Sequence, residues 1–220
     1  MMDIKKLNEQ LQPNVTVDSH QFEKLQWYLA ELLKWNRKIN LTSIVDIDQC
    51  WEKHIVDSLL SSCFVEGDEH VLDIGSGAGF PSIPLKIIYE NLTVDSVDSV
   101  SKKISFQRHC VRNLGVKKFS AHAERIEALQ EQMAGQFDIV ISRAFTSLIQ
   151  FVEIAAPFLN SNGKIIAMKG SAADDELLLA ADTLQRLGLM VVSRKEVVLV
   201  PSKSKRVLIE IKRTNESVFQ

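Results

Sequence analysis

Cysteine is scarce in this sequence, and charge of one sign is not in excess. The 220 residues include three cysteines, Cys50, Cys63 and Cys110, which are widely spaced and form no C-x-x-C pair. This argues against a disulfide framework or a zinc ribbon, and because no histidines or cysteines have metal-ligand spacing we expect no metal. Lys and Arg number 26 against 28 Asp and Glu. Any surface that binds nucleic acid must therefore be a restricted cluster of basic residues rather than the whole molecule.

Long hydrophobic runs are also missing. The opening MMDIKKLNEQLQPN lacks the apolar core of a signal peptide, and no apolar run elsewhere could span a bilayer. We therefore expect a soluble, cytoplasmic protein. The chain is long enough for one well-buried core and has no long linker, so we expect a single domain over residues 1–220. Nothing in the sequence points to an obligate dimer, and a monomer is expected.

Two patterns of apolar residues divide the chain near residue 67. Residues 1–66 contain the amphipathic stretch Asp18–Trp35, with Asp18 and Gln21 able to form a capping pair, and a second helical stretch, DQCWEKHIVDSLLSSCF. Residues 67–220 alternate helical segments with the short apolar runs HVLDI, LTVDSVD, FDIVIS, GKIIAMK, VVLV and RVLIEI. The sequence thus predicts a helical cap followed by an α/β core, with a mostly parallel sheet and an antiparallel pair at its carboxyl end.

A glycine-rich turn, LDIGSGAGFPSIPL, follows the first predicted strand. In a doubly wound sheet this turn lies at the ligand crevice. Nicotinamide sites usually have G-x-G-x-x-G, whereas Gly75, Gly77 and Gly79 are spaced G-x-G-x-G and position 80 is Phe. Asp73 lies inside the strand end. S-adenosylmethionine has no pyrophosphate for a helix amino end to hold. Its amino and carboxylate groups need instead an acidic side chain and exposed backbone groups, which this turn provides.

Two further acidic positions fit the same cofactor. Asp98 ends the second predicted strand, 21 residues past Gly77, where a carboxylate can accept the ribose hydroxyls. Ala123 and Glu124 occupy the region where such enzymes hold adenine. Each has another interpretation, since Asp98 could cap the next helix and Glu124 could begin one.

The fourth predicted strand, in FDIVISRAFTSL, indicates the chemistry. It lacks the Asn/Asp-Pro-Pro-aromatic tetrad of enzymes that methylate exocyclic amines, and it lacks the cysteine nucleophile of those that methylate pyrimidine carbon. Guanine N7 fits, because its lone pair is free and no proton leaves, so that alignment and electrostatics suffice. Arg143 could hold a phosphate, the base or the cofactor. Phe145 could stack on a base or belong to the core.

Several motifs together resemble one family. LDIGSGAGFPSIPL, VDSVSKK, ISRAF, MKG, WNRKINLTS and HIVDSLL are similar, in order and spacing, to the small-subunit ribosomal RNA methyltransferase G family (RsmG or GidB). The resemblance implies a Rossmann-like class I methyltransferase fold, S-adenosylmethionine as donor, and N7 methylation of one guanosine in the decoding-region loop of bacterial 16S rRNA. It also implies cofactor contacts from Gly75, Phe80, Ala123, Glu124 and Arg143. Ser82 and His122 depart from the family pattern, where a glycine and an arginine are usual.

Basic residues supply the expected RNA surface. Lys169 and Arg206 lie at strand ends near the crevice, and the resemblance places basic residues at both positions. With Arg143 they are predicted to position RNA of the small ribosomal subunit, with no general base. His54 is expected to be a buried structural histidine rather than a catalytic one. Two alternatives remain: a nicotinamide-dependent oxidoreductase using the same turn, and a non-catalytic small-subunit assembly factor.

Overall fold

A computed structural model describes residues 2–13, 15–143 and 147–214. Its seven strands form one sheet with the order β3-β2-β1-β4-β5-β7-β6, in which β1 to β5 are parallel and β7 runs antiparallel to both of its neighbours. The strands are β1 (His70–Ile74), β2 (Thr93–Val97), β3 (Phe119–His122), β4 (Phe137–Arg143), β5 (Leu159–Lys169), β6 (Leu189–Val198) and β7 (Lys205–Arg213). The predicted α/β class with a mostly parallel sheet is confirmed.

Helices precede the sheet and then alternate with its strands. The α-helices are α1 (Ile4–Leu11), α2 (Ser19–Asn36), α3 (Ile47–Cys50), α4 (Asp57–Leu59), α5 (Ser82–Ile88), α6 (Ser101–Asn113), α7 (Gln130–Met133), α8 (Leu148–Ala155) and α9 (Ala173–Arg186). A π-helical segment, Trp51–Val56, joins α3 to α4, and 3-10 turns cover Leu60–Phe64, Ile126–Leu129 and Ala156–Phe158. None of the helices in the described ranges is long and apolar enough to cross a bilayer.

Two of the helices before β1, α2 and α3, begin at an aspartate whose side chain caps the helix. Asp18 accepts a hydrogen bond from the backbone amide of Gln21, whose side chain accepts one from the Asp18 amide, so the predicted capping pair of α2 is confirmed. Asp46 caps α3 by accepting a hydrogen bond from the backbone amide of Gln49. The predicted second helix runs from Ile47 to Phe64, but its centre is the π-helical segment.

The helices before β1 share a core with the sheet. Leu29 of α2 and Ile55 of the π-helical segment belong to the same buried cluster as Ile139, Ile166 and Leu208 of β4, β5 and β7. A second cluster covers the opposite face of the sheet, under α8 and α9. Both faces are therefore buried, as a parallel sheet requires.

The sheet directs the chemically interesting residues to one edge. Parallel strands end at the same edge, so the carboxyl ends of β1, β2, β4 and β5 bring the glycine loop, Asp98, Arg143 and Lys169 to one side of the molecule. Because β7 runs the other way, its start brings Arg206 to the same edge; Lys169 pairs with Val207 in the register.

Candidate active site

The glycine loop has a backbone that only glycine adopts easily. Gly75, Gly77 and Gly79 have φ angles of 71°, 60° and 100°, in the left-handed region. A Cβ at Gly79 would lie 2.5 Å from Ile83 Cδ1, whereas a Cβ at Gly77 would meet nothing within 4 Å. Gly79 is thus needed for packing within the protein, and the space beside Gly77 is open to a ligand.

A buried glutamine braces this loop from α6. Gln107 is fully buried; its side-chain amide donates to Ser76 Oγ and to the Gly77 carbonyl, both at 2.8 Å. Its carbonyl oxygen accepts from the Ser96 hydroxyl at 2.7 Å. Every polar atom of the Gln107 side chain is therefore bonded to the loop or to β2, which fixes the loop over the sheet. The sequence reading missed Gln107, because nothing in its local pattern distinguishes it from a surface residue.

Asp98 connects the loop with the start of α6. Its Oδ2 accepts from the Gly77 amide at 2.9 Å and lies 3.5 Å from Lys103 Nζ, while Oδ1 accepts from the Val100 amide at 2.8 Å. The N-cap residue of α6 is Val100, and Asp98 bonds the amide of Val100 itself rather than an amide of the first helical turn, so Asp98 does not cap this helix. Its carboxylate also lines a cavity of about 360 Å³, together with Gly75 and Glu124. This position at the cavity wall agrees with the interpretation in which Asp98 faces a ligand.

The other adenine candidates differ in their exposure. Glu124 is exposed and lies in the loop after β3, ahead of a 3-10 turn, so it does not begin an α-helix. Ala123 is half-buried and is not among the residues that line the cavity. His122, which departs from the family pattern, makes a hydrogen bond through Nε2 to Asp95 Oδ1 at 2.7 Å.

Asp73 lies beneath the loop. Its side chain is fully buried, Oδ2 accepts from the Ser82 amide at 3.2 Å, and Oδ1 has no hydrogen-bond partner in the described part of the chain. Burial raises the pKa of Asp73 to about 7. An unsatisfied buried oxygen, left-handed glycines and a carboxylate at the cavity wall are together the features that a bound S-adenosylmethionine would use. The residues therefore fit this cofactor.

Arg143 lies between the sheet and the π-helical segment. Its guanidinium donates to the Lys53 carbonyl, lies 3.3 Å from His54 Nδ1, and covers the Phe80 ring at 5.0 Å. Phe80 is buried and stacks on His54 at 4.6 Å. Its ring lines neither the cavity beside Asp98 nor the cavity beside Arg143. Arg143 is thus oriented by the helical cap before any ligand binds.

His54 is neutral in this environment. Burial, followed by the charge of Arg143, lowers the pKa of His54 to about 3. Because Arg143 can only donate, Nδ1 must accept, and the proton lies on Nε2, which donates to Thr42 Oγ1 at 2.9 Å. This geometry agrees with the expectation of a buried structural histidine.

A second cavity collects the three predicted RNA-positioning residues. It has a volume of about 450 Å³ and is lined by Arg143, Lys169 and Arg206 together with the carboxylates of Asp57 and Glu176. The structure therefore brings together three cations from β4, β5 and β7 that are distant in sequence. Ala144 and Phe145 follow Arg143 and lie outside the described residues.

Each of the three cations has an acidic partner. Asp57, only 3% exposed in its side chain, accepts from Arg206 Nε at 2.9 Å and lies 3.4 Å from Arg143 Nη1. Glu176 lies 2.8 Å from Lys169 Nζ. Sequence reading missed both carboxylates as site residues, although Asp57 stands in the quoted HIVDSLL motif; Glu176, in an acidic first turn of α9, carried no signal.

The strand order, the glycine loop and the acid after β2 define a Rossmann-like class I methyltransferase. Solved structures of two other proteins share this fold. Ribosomal protein L11 methylase from Lactobacillus delbrueckii subsp. bulgaricus matches with a TM-score of 0.57 and 14% identity, covering 74% of this chain and 79% of that one. TYW2 from M. jannaschii, solved in complex with AdoMet, matches with a TM-score of 0.54 and 13% identity, covering 67% and 70%.

Sequence relatives define the family more narrowly. Residues 21–208 match the family model described as rRNA small subunit methyltransferase G. Ribosomal RNA small subunit methyltransferase G from Syntrophotalea carbinolica is 44% identical over 87% of this chain and 88% of its own length. The protein of the same name from Halalkalibacterium halodurans is 35% identical over 96% and 91%. The chain belongs to the rRNA small subunit methyltransferase G family.

This membership decides between the alternatives drawn from the sequence. The predictions of a methyltransferase, of S-adenosylmethionine as its cofactor and of ribosomal RNA as its substrate are confirmed at the level of the family. The nicotinamide-dependent oxidoreductase is the wrong interpretation of the glycine loop, and the non-catalytic assembly factor is not favoured.

Proposed function

We propose that the enzyme methylates N7 of a specific guanosine in the decoding-region loop of 16S rRNA, within the small ribosomal subunit. The observation that carries this proposal is the cavity where Arg143, Lys169 and Arg206 meet. It lies over β4, β5 and β7, beside the half of the sheet edge where the glycine loop and Asp98 lie. Cofactor and RNA would thus meet at adjacent strand ends.

The cofactor would occupy the β1 and β2 half of this edge. Asp98 would accept the ribose hydroxyls, Glu124 and the Ala123 backbone would hold adenine, and the turn from Gly75 to Gly79 would admit the methionine part above Asp73. Phe80 would contribute through the rigid packing of the loop, and Arg143 would face the cofactor's carboxylate or the RNA. When bound, S-adenosylmethionine supplies a sulfonium methyl: the N7 lone pair forms the N–C bond as the C–S bond breaks, and that electron pair stays on sulfur.

The surrounding residues suit a nucleophile that needs no base. No proton leaves N7, so the protein must only align the lone pair and stabilise charge. His54 does not act as a base, because its Nδ1 is occupied by Arg143 and Nε2 already carries the proton. Lys169 and Arg206 would hold phosphates or the base, and Arg143, oriented by the cap, would fix its approach.

The proposal is tested by methyl transfer to small subunits that lack the modification. Radiolabelled S-adenosylmethionine supplies the label, and borohydride reduction with aniline cleavage maps N7-methylated positions. A single cut in the decoding-region loop is expected. No incorporation into subunits, free 16S rRNA or assembly intermediates, by a folded enzyme that binds the cofactor, would refute it.

Charge variants separate RNA positioning from general electrostatics. Lys169→Ala is expected to reduce methylation by about tenfold or more, since a charge-assisted contact is worth about 1.5–3 kcal/mol. The cofactor Kd should stay unchanged. Arg186→Ala is the matched control, because Arg186 is an exposed cation that pairs with Glu153 on the surface. Equal losses in both variants would contradict the assignment of Lys169.

We also propose that the enzyme is a cytoplasmic monomer. The helical cap covers one face of the sheet and α8 and α9 cover the other, so both faces of the sheet are buried within one chain. Light scattering on the purified protein should give the mass of one chain, and a concentration-independent dimer mass would contradict this.

A further inference from the structure

The cavity lined by Arg143, Lys169 and Arg206 contains two carboxylates, Asp57 and Glu176, whose oxygens differ in their contacts. Both oxygens of Asp57 face arginines, and its side chain is almost inaccessible. Glu176 is 25% exposed in its side chain, and both of its bonds use the same oxygen, Oε2. That oxygen accepts from the Leu148 amide at 2.7 Å and from Lys169 Nζ at 2.8 Å. Its other oxygen, Oε1, has no hydrogen-bond partner among the described residues.

The position of Glu176 is fixed although one oxygen is unused. Leu148 is the first residue of α8, Lys169 is the last residue of β5, and Glu176 lies in the first turn of α9. Two elements other than its own helix, α8 and β5, therefore hold Oε2, which limits the rotation of the carboxylate. A carboxylate that served only to pair Lys169 would not need this additional anchor. The geometry leaves a preorganised acceptor at the wall of a cavity that also contains Arg143.

We propose that Glu176 reads the Watson–Crick edge of the target guanine, accepting hydrogen bonds from N1–H and from the exocyclic N2 amino group. This inference rests on the proposed function. Guanine presents two adjacent donors on this edge, and a carboxylate is an acceptor only. Adenine places a lone pair at N1 and would be repelled. N7 lies on another edge of the base and stays free to react, and enzymes that act on an extruded base read it through such hydrogen bonds.

The same contact favours the reaction itself. Methylation at N7 gives the guanine a positive charge, which makes N1–H a stronger donor as the transition state forms. A carboxylate bonded there gains attraction along the reaction, and only interactions that strengthen in the transition state raise kcat. Loss of the Glu176 charge is therefore expected to lower kcat and to raise KM for the RNA. A purely structural role in holding α8 would instead lower the stability of the protein.

The experiment removes the exocyclic amino group from the substrate. Small subunits are reconstituted with 16S rRNA carrying inosine at the target position, which keeps N7, O6 and N1–H but lacks the N2 amino group. The wild-type enzyme should lose about tenfold in kcat/KM on inosine, the value of one hydrogen bond to a charged group. The Glu176→Ala variant should methylate guanosine slowly, and its kcat/KM on inosine should be only slightly lower than on guanosine.

Two other variants complete the comparison. Glu176→Gln keeps an acceptor for the Leu148 amide but turns its amide donor toward the N1–H and N2 donors of guanine. Its loss of kcat/KM on inosine relative to guanosine should therefore also be much smaller than that of the wild type. This variant keeps the test available even if the alanine variant does not fold. Asp175→Asn changes the exposed neighbouring acid on α9, and it should keep both the rate on guanosine and the full loss of kcat/KM on inosine.

The outcomes separate this inference from the proposed function. If the wild-type enzyme methylates guanosine but the inosine penalty is equal in the wild type and the folded Glu176 variant, Glu176 does not contact the amino group and the inference is refuted. If the wild-type enzyme methylates no guanosine N7 at all, it is the proposed function that fails.

Discussion

Gly77 and Gly79 have similar left-handed backbones, yet a methyl group added to each would meet different surroundings. At Gly79 it would overlap Ile83, and at Gly77 it would enter open space. Gly77→Ala should therefore cost only about 1 kcal/mol of unfolding free energy, the price of alanine in the left-handed region. It should weaken S-adenosylmethionine binding by about tenfold or more, because the cofactor would occupy that space.

Calorimetric titration and urea unfolding measure the two effects. Gly79→Ala serves as the contrast, since its Cβ would clash with the protein's own side chain and lower stability far more. Wild-type cofactor affinity in a folded Gly77→Ala variant would show that the ligand does not approach this glycine.

His54 makes stability depend on pH. Its pKa in the folded state is about 3, because of burial and then the charge of Arg143, against an ordinary value of 6.5. Between these values the unfolded chain binds a proton that the folded chain does not, so the stability that neutral His54 contributes is present above about pH 6.5 and is lost as pH falls. The slope approaches about 1.4 kcal/mol per pH unit.

The variant His54→Asn isolates this titration. Its Oδ1 can accept from Arg143 without titrating, so the difference in unfolding free energy between wild type and variant should shift in favour of the variant as pH falls from 7 to 4. Asp73, whose pKa burial raises to about 7, titrates with the opposite sign in both proteins and cancels in the difference. A pH-independent difference would contradict the burial of a neutral His54.

Single residues also show how far sequence could predict the site. Asp98 and Arg143 could be placed because strand ends and glycine spacing fix their positions along the sheet. Asp57 and Glu176 could not, since their contacts join α4 to β7 and α9 to β5, and no local pattern encodes such long-range pairs. The resemblance implies a cofactor contact from Phe80, and this stays a prediction; the packing of its ring among Tyr28, His54 and Arg143 is an outcome that spacing does not predict.

Among the elements, α6 supports the loop through one side chain. Gln107→Leu keeps the volume but removes three hydrogen bonds, leaving the buried Ser96 hydroxyl and Gly77 carbonyl without this partner. Unsatisfied buried groups cost about 1–3 kcal/mol each, so stability should fall and the cofactor Kd should rise by about tenfold. Chemical denaturation and cofactor titration measure both.

An exposed glutamine on another helix provides the control. Gln132 is exposed in α7, and Gln132→Leu should change neither the cofactor Kd nor the stability by more than about 0.5 kcal/mol. If Gln107→Leu binds the cofactor as the wild type does, the loop holds its shape without the brace.

Most elements were predictable because their patterns are local. The runs HVLDI and FDIVIS became β1 and β4, and the capping pair of α2 formed as expected. The π-helical segment at Trp51–Val56 was missed, since one extra residue per turn leaves little trace in apolar spacing. β6 begins at Leu189, well before the VVLV run, because an edge strand with exposed residues lacks a continuous apolar signal.

Across the whole molecule, charge is balanced and yet concentrated. The formal net charge is -2, but Arg143, Lys169 and Arg206 gather in one cavity. Asp57 and Glu176 partly neutralise them, which limits attraction for arbitrary polyanions. An enzyme of this kind depends on fitting a particular RNA neighbourhood rather than on bulk electrostatics, and this requires that the cap, which orients Arg143 through Lys53 and His54, remain fixed on the sheet.

The shared core predicts that cap and sheet unfold together. All three tryptophans, Trp27, Trp35 and Trp51, lie in the helices before β1, so their fluorescence reports on the cap while far-UV circular dichroism reports on the whole chain. The two urea transitions should coincide, because Leu29 of the cap and Ile141 of β4 belong to one buried cluster. Leu29→Ala, which removes about 2–5 kcal/mol, should move both midpoints equally. A fluorescence transition at lower urea than the dichroism transition would mean that the cap can detach, and Arg143 would then be oriented only when cap and sheet are docked.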